Sequence, residues 1–243
     1  MRTILGIWAH PDDEVFTSGG LMADAVANGD RVVCLHLTRG EAGLYHRDSY
    51  PADVVSAVRS RELANSLACI GVTEQHFLDY SDGRLSLATP DDVIVRLHDF
   101  LVEVDPDVVI TFGPDGFTGH PDHRSLSTWV TAAVRVWNKP RARVLHATVP
   151  DNWKAAVVAR LEEFDFFWPG YPESIGRGDV SRRLDGKVLN AKIAALRAHS
   201  SQMEPLFECY GEDFIRSIVS TEVFRYGPRP AFRSRMLVDL RHA

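Results

Sequence analysis

The chain has 243 residues, 45% of them hydrophobic and 25% charged, the balance of a globular protein with one domain or one domain and an appendage. That composition excludes a disordered chain, a collagen-like repeat and a coiled coil. Lys and Arg number 27 against 33 Asp and Glu, a net charge of −6, which is not the basic excess of a nucleic-acid binder or a polybasic membrane surface. Cys34, Cys69 and Cys209 are widely spaced and odd in number, as expected of small buried thiols in a reducing compartment. The apolar run 4–9 is too short for a signal peptide, and no stretch reaches the length of a membrane span. The expectation is a cytoplasmic protein without a membrane span or a nucleic-acid partner.

Taken in order, residues 3–9 form a short apolar run that suits a buried parallel strand. Residues 19–27 carry helical spacing and stop at Asn28-Gly29. Residues 31–38 read as a second strand and 54–70 as a helix, with Val55, Val58, Leu63 and Leu67 on one side. A third strand at 75–80, a helix at 90–104 and a fourth strand at 108–112 follow. A helix at 126–137 and a fifth strand at 144–149 complete the series. Strand–helix–strand units of this spacing predict an α/β fold: a Rossmann-like three-layer sandwich, mostly parallel, with helices on both faces. The pattern changes near residue 151. Residues 164–178 read as an irregular aromatic loop, 188–198 and 214–219 as helices, and 226–232 as an irregular tail. The organisation expected is a single domain, with residues 1–150 as core and 151–243 as a C-terminal extension that shapes a substrate cleft.

No G-x-G-x-x-G follows the first strand. The turn there is Ala9-His10-Pro11-Asp12-Asp13-Glu14, so the phosphate-cradling use of the fold lacks its residues. A second segment of the same kind, His120-Pro121-Asp122-His123, follows the fourth strand. In a doubly wound sheet the ligand crevice lies beyond the carboxyl ends of the two strands where the order reverses. If the first and fourth strands are those neighbours, both segments meet there.

Two His and one carboxylate leave a fourth position open, as catalytic zinc requires. His10 and Asp13 are three apart, so one helical turn points both the same way. His120 and His123 share that spacing, and either can be the third ligand. Asp12 projects differently from Asp13 and can take a proton from a water made acidic by the metal. The spare histidine can stabilise an oxyanion and protonate a leaving amine, with Asp122 setting its tautomer and raising its pKa. Fe2+ also accepts two His and a carboxylate, which makes an Fe(II) oxygenase the rival enzyme class. A dinucleotide-binding regulator on a Rossmann-like sheet is the rival without chemistry. His36, inside the second strand, reads as a core histidine, and Glu14 as a partner of nearby backbone or of the groups around the ligands. Trp168 and its aromatic neighbours suit either a sugar ring or a lid.

Ala9–Glu14 together with Gly113–His123 (G-P-D-G-F-T-G-H-P-D-H) resembles the PIG-L/LmbE-like family of zinc N-deacetylases. Thr38–Gly43, Arg59-Ser60-Arg61-Glu62-Leu63 and, more patchily, His199-Ser200-Ser201-Gln202 agree with it. The resemblance implies His10, Asp13 and His123 as metal ligands and Asp12 as general base. It implies His120, backed by Asp122, as oxyanion stabiliser and acid, and Arg59 and Asp82 as contacts to sugar hydroxyls. Zn2+, with Fe2+ or another divalent metal as alternative, is the implied cofactor. The implied substrate is a small N-acetylated amino-sugar conjugate, and a homo-oligomer is possible. Some members carry Tyr where this chain has Thr118, so no tyrosine contribution is implied here.

Overall fold

The structure is a computed structural model that describes residues 1–43, 50–137, 139–149, 160, 167–168 and 178–229. The chain runs β1 (Thr3–Trp8), α1 (Asp13–Ala27), β2 (Arg31–His36), α2 (Ala52–Cys69) and β3 (Glu74–Phe77). A 3-10 turn (Leu85–Leu87), α3 (Pro90–Val104), β4 (Val108–Phe112), α4 (Pro121–Val136) and β5 (Arg143–Thr148) follow. Then come β6 (Val180–Arg183), α5 (Gly186–Ala198), α6 (Ser200–Tyr210), α7 (Glu212–Val219) and β7 (Thr221–Tyr226).

The strands form one seven-stranded sheet in the order β3-β2-β1-β4-β5-β7-β6. β1 to β5 are parallel, whereas β7 is antiparallel to both β5 and β6. This is the predicted α/β architecture. β1 pairs with β2 from Thr3↔Arg31 and with β4 from Ile4↔Val108, so the order reverses between β1 and β4. Right-handed crossovers then put α1 and α2 on one face and α3 and α4 on the other. α5 packs on α1 and α2, and α3 packs on α4. β1 is apolar nearly throughout because both of its faces are covered; Leu5, Ile7 and Trp8 are fully buried. Trp8 meets Phe112 edge to face at 5.2 Å, joining the ends of β1 and β4 just beneath the crevice.

Several boundaries differ from the sequence expectation. α1 begins at Asp13 rather than Gly19, and α4 at Pro121 rather than Leu126. In both cases the polar motif is itself the first helical turn. Pro121 suits the first turn because it has no N–H to leave unpaired, and acidic residues there favour the positive helix end. α6 was not anticipated, since Pro205 lies inside it. β6 and β7 were also missed; they place part of the C-terminal segment within the sheet. Most of the aromatic loop 164–178, and the tail beyond 229, lie outside the described residues. Among the described residues, no helix is long and apolar enough to cross a membrane.

Candidate active site

The crevice between the ends of β1 and β4 collects both motifs. After β1 the chain turns sharply through Asp12, whose φ of 105° is rare for a residue with a side chain. The turn lets the Asp12 carbonyl accept from the Phe16 N–H and start α1. It also lets the Asp13 carboxylate accept from the His10 backbone N–H at 2.8 Å. After β4, the loop turns at Gly116 (φ 73°), and the Gly116 carbonyl accepts from His123 Nδ1–H at 3.0 Å. Phe112 stacks flat on the same ring, with centroids 4.0 Å apart and planes 8° from parallel. Thr118 Oγ1 lies 3.5 Å from His123 Nδ1. These contacts leave Nε2 of His123 as its free donor atom.

Nε2 of His123 lies 3.2 Å from Nδ1 of His10 and 3.3 Å from Oδ1 of Asp13. Nδ1 of His10 lies 3.5 Å from Oδ2 of Asp13. Ligand atoms held about 2.0–2.1 Å from a tetrahedral zinc stand roughly 3.3–3.4 Å from one another. Two imidazole nitrogens and a carboxylate that meets one ring through Oδ1 and the other through Oδ2 thus suit a divalent metal in donor type, and each pairwise contact is near that spacing. One nitrogen from each of His10, His120 and His123 lies within 4.8 Å of the other two, and His10 forms a second group of that spacing with Asp82 and Asp122. His120 differs in that its Nδ1 accepts from the Asp122 backbone N–H at 3.1 Å, which leaves Nε2 to carry its proton.

The far side of His10 is held by acids. Its Nε2 lies 2.9 Å from Oδ1 of Asp82 and 3.4 Å from Oδ2 of Asp122. Such a carboxylate behind an imidazole fixes the tautomer and orients the other nitrogen. Asp82 accepts in addition from the Ala42 N–H, and Asp122 from the N–H groups of Gly83 and Leu85. Thus the Asp122 carboxylate is turned to His10 and the 83–85 backbone, while it is the Asp122 main chain that reaches the His120 ring. Sequence reading gave no sign of the Asp82–His10 contact, because a lone Asp beside Gly83 looks like a turn. Arg59 is buried, and its guanidinium donates to the carbonyls of Pro11 and Gly40 and, at 2.7 Å, to Oδ2 of Asp12. Trp168 lies edge-on to His120 with centroids 4.8 Å apart, and its backbone N–H bonds the Thr118 carbonyl.

The electrostatics follow from burial and these neighbours. Burial opposes charge on Asp13, but His123 and His10 outweigh it and hold the carboxyl well below its usual value. Burial likewise opposes charge on His10, yet Asp82, Asp122 and Asp13 raise it well above the ordinary imidazole range. The same negative field would meet a bound cation. Burial lifts Asp12 to about 6, against the pull of Arg59. Burial, reinforced by His10 and His123, pushes His120 down to about 3, so in the metal-free chain it rests neutral. Asp122 does pull the His120 pKa upward as expected, and Asp13 with it, but desolvation and two neighbouring imidazoles outweigh both carboxylates.

A metal-dependent hydrolase on a Rossmann-like sheet is the class that this fold and this site define. The family model for GlcNAc-PI de-N-acetylase (PIG-L) matches residues 5–134, and the chain belongs to that family. A 1D-myo-inositol 2-acetamido-2-deoxy-α-D-glucopyranoside deacetylase of Kineococcus radiotolerans is 32% identical, over 83% of this chain and 69% of that protein. The enzyme of the same description from Corynebacterium diphtheriae is 32% identical over 84% of this chain and 78% of its own length. The chain is accordingly a hydrolase of amide bonds, a deacetylase. Among solved structures, the N,N'-diacetylchitobiose deacetylase of Pyrococcus horikoshii superposes with a TM-score of 0.68 at 22% identity, covering 93% of this chain and 84% of that one. The 4-carboxy-2-hydroxymuconate hydratase GalB of Pseudomonas putida matches with a TM-score of 0.65 at 18% identity, covering 96% and 100%. A hydratase on the same fold shows that fold alone does not set the reaction. The family match sets deacetylation above the oxygenase and nucleotide-binding alternatives.

Proposed function

We propose that the chain removes the acetyl group from an N-acetylated amino sugar joined to a polar aglycone such as inositol, with zinc held by His10, Asp13 and His123. The observation that carries this reading is the meeting of His10, Asp13 and His123 at the β1/β4 crevice, the two imidazole nitrogens 3.2 Å apart and the Asp13 carboxylate 3.3 Å from one through Oδ1 and 3.5 Å from the other through Oδ2. The relatives named for an inositol-linked acetamido sugar support the substrate class. Three free cysteines suit the cytoplasm as the site of action. Residues 1–243 act as a single domain, 151–243 shaping the cleft.

Bound metal would lower the pKa of water to about 7 and polarise the amide carbonyl. Asp12, poised near 6 and anchored by Arg59, accepts the proton of the attacking water. His120, its Nδ1 occupied by the Asp122 N–H, offers Nε2–H to the oxyanion. The proton that Asp12 took from the water is the one the leaving amine gains, and His120 relays it as negative charge developing beside the ring raises its affinity for a proton. Asp82 and Asp122 keep Nδ1 of His10 directed toward His123 and Asp13. Contacts to sugar hydroxyls are assigned to Arg59 and Asp82 as well.

The test is metal analysis followed by assay of free amine from a panel of N-acetylglucosamine conjugates, the inositol conjugate first. His123→Ala is expected to lose the metal. His120→Ala is expected to keep it and to lose about 10²–10³-fold in kcat, the range for one oxyanion donor. A fully active preparation free of metal, or oxygen uptake without acetate release, defeats the reading.

A further inference from the structure

Directly behind Asp12 lies a group of three fully buried side chains that the reaction as described does not use: Glu14, His36 and His199, each 0% exposed. One oxygen of Glu14 lies 3.0 Å from Nε2 of His36, at the end of β2. The other lies 3.3 Å from Nε2 of His199, at the junction of α5 and α6. The first oxygen also accepts the backbone N–H of Asp12 at 2.9 Å. An ionised carboxylate only accepts, so both rings present Nε2–H to it. Burial opposes charge on Glu14, but the two histidines outweigh it and hold the carboxyl down at about 2.

This carboxylate is spent on one main-chain amide, that of the residue in the disfavoured conformation. A non-glycine residue at φ 105° persists only when its surroundings over-determine it. Asp12 is fixed on two sides: Arg59 takes its carboxylate, and Glu14 takes its N–H. Glu14 in turn is fixed by histidines 22 and 185 residues away. The His199 backbone is itself locked, its carbonyl accepting from the N–H groups of Gln202 and Met203. Next to it, the Ser200 and Ser201 hydroxyls donate to Glu62, one turn beyond Arg59 on α2.

We propose that Glu14, clamped by His36 and His199, is a positioning residue for the general base. It holds the Asp12 turn so that the carboxylate points at the attacking water, and through His199 it makes the C-terminal segment part of the catalytic apparatus. This rests on Asp12 as the base. A purely structural cluster would lower stability without separating kcat from KM or from metal content.

Four variants test it: Glu14→Ala, Glu14→Gln, His199→Ala and His199→Gln. Each is measured for kcat, KM, metal content and, in the metal-free protein, exchange of the Asp12 amide proton. Glu14→Ala is expected to lower kcat about 30-fold or more, since a small misplacement of a catalytic group costs on that order, with KM and metal content retained. Glu14→Gln keeps an oxygen for the Asp12 N–H and is expected within about threefold of wild type. His199→Ala is expected to lose about fivefold, and His199→Gln, whose amide can still donate to Glu14, to restore it. The Asp12 amide should exchange faster in both Ala variants. If Glu14→Ala does not fold, the His199 pair and the exchange rates decide. Wild-type kcat in a folded Ala variant, a loss that follows metal content or KM, or an unchanged Asp12 amide overturns the proposal. Because exchange is read without metal or substrate, a failed deacetylase assay leaves this outcome legible.

Discussion

Asp12 is where burial and charge contend most closely. Desolvation raises its pKa and Arg59, 2.7 Å from Oδ2, opposes the rise, leaving the carboxyl at about 6. A general base works as the carboxylate, so kcat/KM should rise with pH through about 6 and level above it. Asp12→Asn should reduce kcat by about 10²–10⁴-fold with metal retained, read from free-amine release and metal content. Removing the opposing charge with Arg59→Gln lets desolvation prevail and moves the acid limb upward. The expected loss of kcat/KM is therefore larger at pH 6 than at pH 8. A limb that stays in place would mean that Arg59 does not set the charge of Asp12. His10 makes a complementary point. As a residue type it is an ordinary ligand candidate, but the carboxylates of Asp82 and Asp122 behind it select which nitrogen it presents.

At the scale of elements, loops after β1, β2 and β4 each supply one wall of the site. The β2 loop contributes through Gly40, whose φ is 71° and whose carbonyl accepts from Arg59 Nη1 at 2.9 Å. A Cβ on Gly40 would overlap the Arg59 guanidinium itself. Gly40→Ala should thus dislodge Arg59 from Asp12 and lower kcat by about tenfold or more with metal content unchanged. Steady-state kinetics with metal analysis checks this, and wild-type kcat would show that the guanidinium has room to move. Gly20 in α1 illustrates the same close approach on the far side: a Cβ there would meet the Leu184 side chain and come within 3.1 Å of Glu222 Oε1. A helix normally gains from Ala over Gly, so this glycine reflects packing rather than helix preference.

Across the whole molecule, residues 178–229 are bound into the core by buried charge as well as by the β7–β5 ladder. Lys192 of α5 and Glu222 of β7 pair at 2.7 Å with side chains 0% and 1% exposed. The Glu222 carboxylate also accepts from the Gly20 and Leu21 N–H groups of α1. One carboxylate therefore joins α1, α5 and β7. Burial depresses the Lys192 pKa, and the contact with Glu222 opposes that depression. Lys192→Met leaves Glu222 buried without its cation and should cost about 3–5 kcal/mol in stability, measured by urea denaturation. A cost near zero would show that the α1 amides alone satisfy Glu222. His199 extends the same theme, since this C-terminal residue reaches Glu14 next to the catalytic turn.

The residue pattern by itself determined the alternation of strands and helices up to residue 149, because apolar periodicity is a local property that each segment carries alone. It also determined that two loops rich in His and Asp follow β1 and β4, and their chemistry pointed to a metal. Only the tertiary structure decided that β1 and β4 are hydrogen-bonded neighbours, which brings Nδ1 of His10 within 3.2 Å of His123 across 113 residues. It likewise decided that Asp82 and Asp122 back His10, that Arg59 grips Asp12, and that β6 and β7 close the sheet from the C-terminal segment. None of these has a local signature. A carboxylate chooses its partner by distance and burial in the folded chain, and a short edge strand such as β6 gains its identity only from the neighbour that pairs with it.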